Sequence, residues 1–121
     1  MAKNVRRDFV ERLGVRNSTL VLVEQNIKTL VVRANDTVER RIVCDQVIGI
    51  QAERMIRVTV HARRFYTTLA ETLKREDLER LAHGDTVQDS LTYLRRVISK
   101  EREAELGIVV FDLQPFTIRS S

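Results

Sequence analysis

Arginine is the residue type in this chain with the most chemistry to offer. The 121 residues contain 17 Arg and 4 Lys against 17 Asp and Glu, for a formal net charge of +4. A guanidinium is a flat, permanently charged fork that grips phosphate bidentately and stacks on bases, whereas an ammonium is a point charge. That preference points to a polyanion, and among polyanions to nucleic acid. Spacing strengthens the point between residues 54 and 64. There Ile56, Val58, Val60 and Ala62 alternate with Arg57, Thr59, His61 and Arg63, which predicts a strand with a core side and a basic side. Arg64 follows at its edge, and Phe65 and Tyr66 supply aromatic rings. Lys28 and Arg33 belong to a second apolar stretch, and Arg40 and Arg41 to the charged loop between. Together they predict a basic cleft in which guanidinia meet phosphates and an unstacked base lies on Arg, Tyr66 or Phe65. The competing expectation is a solvated face on which Arg57 and Arg63 pair across strands with Glu39 or Glu53.

Other chemistries find little footing. His61, His83 and the single Cys44 lack metal-ligand spacing, and the carboxylates are scattered. Ser18, Ser90 and Ser99 have no nucleophile-elbow context, and no phosphate-binding or dinucleotide glycine fingerprint occurs. Neither a metal nor a cofactor is expected.

The elements that must position these residues fit one domain of 121 residues with one core. Gly occurs four times and Pro once, and no linker or repeat interrupts the chain. Apolar runs are too short to span a bilayer, charges stand where a signal peptide would be apolar, and one cysteine cannot form an internal disulfide. The expected location is therefore intracellular and cytoplasmic. Residues 5–13 predict an amphipathic helix ended by Gly14. The stretches 18–23 and 28–33 predict two strands paired as a hairpin, followed by a charged loop over 34–41 and a strand over 46–50. Thr68 and Glu71 have capping-box spacing for a helix running to about His83. A second helix from Asp85 or Thr86 to Glu105 carries a buried stripe of Val87, Leu91, Leu94 and Ile98, and residues 108–113 close the order as a strand. Strands grouped apart from two adjacent helices predict an α+β domain with a small mixed sheet or barrel. Tyr93 is expected to be partly exposed on the second helix. The helix face bearing Arg95, Arg96, Lys100 and Arg102 could extend a surface for an anionic or protein partner.

The order of motifs resembles the ASCH family, a branch of the PUA-like superfamily of small β-barrels. Lys28-Thr29-Leu30-Val31-Val32-Arg33 resembles the family's lysine-threonine strand that ends in arginine, and Cys44-Asp45-Gln46-Val47 stands where a strand entry of the type G-D-x-V belongs. Ile56-Arg57-Val58-Thr59, the helix start Thr68-Leu69 through Glu76-Asp77, and the final helix and strand with Val109 to Leu113 follow in order. The resemblance covers about residues 20–115. It implies a PUA-like α+β fold and binding of RNA or a modified nucleoside. It also implies a second reading, an amidohydrolase acting on N4-acetylcytidine, whose set is a strand lysine, a threonine three residues on and a helix glutamate. Lys28 matches the lysine and is the one catalytic candidate; the threonine position is Val31, and the glutamate region falls at Leu81 and Ala82. A third reading is a structural subunit docked in a larger ribonucleoprotein.

Overall fold

A computed structural model describes residues 11–116. The clearest departure from sequence expectation lies at residues 18–23, an apolar run that forms not a strand but helix α1 (Asn17–Glu24). Four apolar residues in a row carry no period, so tertiary burial decides, and Leu20 and Val23 are buried in the core. The connection expected to turn a hairpin between 18–23 and 28–33 begins instead with a helix stop. Asn26 adopts φ 58°, its N–H donates to the Val23 carbonyl at 3.0 Å, and that of Ile27 donates to Leu22 at 3.1 Å.

Among the described residues five strands form one mixed sheet in the order β1-β3-β4-β5-β2. They are β1 (Arg12–Gly14), β2 (Leu30–Ala34), β3 (Val47–Gln51), β4 (Met55–Tyr66) and β5 (Ile108–Pro115). Strand β1 is parallel to β3, and the other pairings are antiparallel. The helix expected over 5–13 falls mostly outside the described residues. Its end is strand β1, where Leu13 alone is buried between two exposed neighbours. The charged loop over 34–41 contains a short helix, α2 (Thr37–Arg41), capped by the Asp36 carboxylate.

The Thr68 cap is in place, with its hydroxyl accepting the Glu71 N–H at 3.1 Å, but helix α3 (Leu69–Arg75) ends early. Glu76 turns to extended backbone there, and Asp77 caps a 3₁₀ turn over Leu78–Arg80. The long second helix is two helices, α4 (Val87–Val97) and α5 (Lys100–Leu106), split where Ile98 is buried and Ser99 caps anew. Gly107, at φ 75°, turns the chain into β5. A Cβ there would lie 2.5 Å from the Phe65 ring, so glycine serves both the turn and the close packing.

Both faces of the sheet carry a core. On the α1 face, Leu20 and Val23 pack with Val31, Val58, Val60, Val109 and Phe111. On the α4 face, Leu94 and Ile98 pack with Leu30, Val32, Ile108 and Val110. Strands β2 and β5 are therefore apolar on both sides, which is why their sequences run continuously rather than alternate. This is an α+β fold with a small, mixed, barrel-like sheet. Among the described residues no helix is long and apolar enough to cross a membrane.

Candidate nucleic-acid interface

The basic face predicted for β4 does not survive as one face. Val60 pairs with Leu113, yet the next partner, Asp112, pairs with Ala62, so a β-bulge at His61 inserts one residue. Strand periodicity is two, and one extra residue exchanges the faces of everything beyond it. Arg57 and Thr59 stand on the α4 face. Beyond the bulge, Arg63 pairs with Phe111 and joins the α1 face, while Arg64 and Tyr66 pair with Val110 and Ile108 and take the α4 face.

The predicted cleft residues therefore divide. Arg33, Arg40 and Arg63 gather around α2. The Arg33 Nε donates to Glu39 at 2.7 Å, the Arg40 Nε to the Asn35 carbonyl at 2.9 Å, and the Arg63 Nη2 to Asn35 Oδ1 at 3.1 Å. Arg41 makes a bidentate pair with Glu11, each bond 3.2 Å long. On the α4 face, Arg64 holds Glu76 through bonds of 2.7 and 2.8 Å, and the Tyr66 hydroxyl donates to the same carboxylate. Arg80 donates to Asp112 at 2.6 Å and to the Thr29 hydroxyl at 2.7 Å. Burial works to raise the pKa of Glu76, but the bonds from Arg64 and Tyr66 outweigh it and hold the carboxyl below its ordinary value. Burial, with the Glu76 bond second, pushes Tyr66 up. Arg57 and His61 are exposed, with no side-chain partner among the described residues.

Lys28 donates to the Glu79 carbonyl at 2.8 Å. The position three residues on is Val31, fully buried in the core, and the neighbouring Thr29 hydroxyl accepts from Arg80.

A groove lies elsewhere, along the seam where the two edge strands approach. The Arg33 Nη1 reaches across to the Gly14 carbonyl at 2.7 Å. Beside it is a cavity of about 230 Å3 between the chain leaving β1 (Gly14, Arg16), the edge of β2 (Val32, Ala34) and α4 (Tyr93, Val97). A second hollow shares Arg16, His83 and Tyr93 with it and continues to Arg96. A third shares Gly14, Arg33 and Arg102 and continues to Arg12. The three adjoin along one furrow, with arginines along its length, a tyrosine near its middle, and Asp36, Glu39, Asp85 and Asp89 also in its walls.

The middle is ordered by aromatic stacking and one buried histidine. The Arg16 guanidinium lies 3.7 Å above the centre of the Tyr93 ring and donates to the His83 carbonyl. On Tyr93 stacks the His83 ring, 5.5 Å between centroids and 15° from parallel. The chain at Leu81–His83 runs alongside β2 and covers part of its free edge. The Ala82 N–H donates to the Leu30 carbonyl at 2.9 Å, and the Val32 N–H to His83 Nε2 at 2.9 Å. Burial first, then Arg16 and Arg33, pushes the pKa of His83 down to about 4. The neutral ring accepts at Nε2 and so carries its proton on Nδ1.

In this furrow Arg33 is paired with Glu39, and Arg102 with Asp36 at 3.0 Å. Among the described residues no carboxylate pairs with Arg12, Arg16 or Arg96. Arg12, Arg16 and His83 escaped the sequence reading because Arg16 leads into a run that looked like a strand and His83 stood where a helix was expected to end. The signal for Tyr93, Arg96 and Arg102 was present in the amphipathic pattern of α4 and α5.

No family model matches the chain, and no curated protein matches it. The chain is similar to solved structures, two of which follow. The crystal structure of hypothetical protein PH0355 matches with a TM-score of 0.75 and 22% identity over 87% of this chain and 97% of that one. The solution structure of protein PF0455 from Pyrococcus furiosus matches with a TM-score of 0.68 and 26% identity over 88% of this chain and 97% of that one. This chain shares their fold.

Proposed function

We propose that the protein binds single-stranded RNA, or a nucleotide of it, along the seam between β1 and β2. The observation that carries the reading is the continuity of the furrow, in which Arg96, Arg16, Arg33, Arg102 and Arg12 follow one another past the Tyr93 ring. Spaced guanidinia are what a single strand requires, with phosphates meeting charge and a base meeting the exposed outer plane of the Arg16 guanidinium that lies on Tyr93. The resemblance of residues 20–115 to the ASCH family, some members of which bind RNA, supports the same reading. An N4-acylcytidine amidohydrolase would need a hydroxyl three residues after Lys28, where the fully buried Val31 offers none.

The test is fluorescence anisotropy of a labelled, unstructured RNA oligonucleotide at about 50 and about 200 mM salt. Binding that weakens several-fold or more at the higher salt is the expected result. Absence of binding at the lower salt would contradict the proposal.

A further inference from the structure

Where the β2 edge meets the seam cavity, two of its backbone polar groups are left over. The Leu113 N–H donates to the Thr29 carbonyl, which sets the ladder so that Thr29, Val31 and Arg33 bond to β5. The N–H and C=O groups of Leu30, Val32 and Ala34 then turn to the open side. Along that side Leu30 is bridged in parallel to Leu81 and its carbonyl accepts from Ala82, the Val32 N–H donates to His83, and the Ala34 carbonyl accepts from the Asp36 N–H at 2.9 Å. The Val32 carbonyl and the Ala34 N–H have no partner among the described residues. Both belong to buried residues, 2% and 8% exposed, and both residues line the seam cavity. Facing the cavity, the two groups are open to whatever enters it and offer an acceptor and a donor side by side.

We infer that this acceptor and donor read one edge of a nucleobase, the Val32 carbonyl taking an N–H from the base and the Ala34 N–H donating to the acceptor beside it. The inference rests on the RNA reading above and names what the cavity recognises. A peptide strand is the other partner that uses such a pair, but strand addition needs a run of free groups. Here the run is one acceptor and one donor long, closed on one side by His83 and on the other by the turn at Asp36. At about 230 Å3 the cavity falls below the usual range for drug-sized ligands and suits a single ring system. A base edge places a donor next to an acceptor, as uracil does with its ring N–H and carbonyl.

The experiment titrates 15N-labelled protein with uridine monophosphate and with its N3-methylated form, which keeps the phosphate and loses the donor. Uridine monophosphate should move the Ala34 amide resonance downfield, and methylation should weaken binding about tenfold or more. Ala34→Pro removes the same N–H at an edge position where proline is tolerated and should weaken uridine monophosphate to a similar degree. Equal affinity for the two nucleotides with an unmoved Ala34 resonance would overturn the base-edge contact. If the RNA oligonucleotide binds with its salt dependence intact while neither mononucleotide does, the base-edge contact fails and the RNA reading stands. If none of the three binds, both fail.

Discussion

Two groups of arginines, one over the α4 face of the sheet and one along the seam, differ in what answers their charge. Over the sheet, Arg64 and Arg80 share Glu76 and Asp112, and the Glu76 side chain is only 3% exposed. These charges are spent on one another and on holding α3 and the 3₁₀ turn against β4 and β5. Along the seam, Arg16 lies on an aromatic ring, and no acid among the described residues pairs with it. Identical side chains thus act as mortar in one place and as an open electrostatic surface in the other. Residue type alone does not separate the two roles, since within the seam Arg33 is held by the buried Glu39 while Arg12, Arg16 and Arg96 have no carboxylate partner among the described residues.

The comparison is broken most severely by removing a carboxylate from the first group. Glu76→Ala leaves the Arg64 guanidinium and the Tyr66 hydroxyl without their acceptor and should lower stability by about 3 kcal/mol, measured by urea unfolding. RNA affinity should stay within about twofold of the unaltered protein, since no furrow contact changes.

Acid offers a second way to part the regions. His83 is neutral when folded, with its pKa down at about 4, against an ordinary value of 6.5. Between those values the unfolded chain binds the extra proton, so the stability present above about pH 6.5 is lost as pH falls toward 4. The loss should be on the order of 2 kcal/mol in urea unfolding across that window. His83→Gln keeps an acceptor within reach of the Val32 N–H and should make the pH profile flatter. An unchanged slope would remove His83 from the account.

The seam itself is sharpened by Tyr93→Leu, which keeps apolar bulk and removes the stacking ring. RNA affinity should fall several-fold by anisotropy, because the Arg16 guanidinium loses the ring that holds it in the seam. Smallest of all is Lys28→Ala, because Lys28 makes one surface bond to the Glu79 carbonyl. Stability should shift by about 0.5 kcal/mol or less, and RNA affinity should not change measurably.

How much of this was legible in the sequence depended on whether local pattern or long-range contact decided each element. The core strands at 30–34, 47–51 and 55–66, the Thr68 cap and the Gly107 stop follow from residues acting on near neighbours, and sequence reading located them. The α1 helix was hidden because Leu20 to Val23 favours strand locally and is overruled by packing on the sheet. The bulge at His61 leaves no mark in a perfectly alternating sequence, yet it moves Arg63 to the opposite face and dissolves the cleft that alternation implied. The partnership of Arg64 with Glu76 was likewise invisible, because it depends on α3 ending where it does. Arginine content and the basic α4–α5 surface were legible. Their assembly with Arg16 and His83 into a seam was not, since it joins residues 67 positions apart.

The most direct test sets charge reversals in the two regions against each other. Arg16→Glu with Arg96→Glu alters the seam, and Arg57→Glu with Lys28→Glu alters the sheet side, each measured for binding the same RNA oligonucleotide at about 50 mM salt. The account predicts that the seam pair weakens binding by about tenfold or more and lowers its salt dependence, while the sheet pair leaves both nearly unchanged. Loss of binding in the sheet pair with the seam pair unaffected would contradict it.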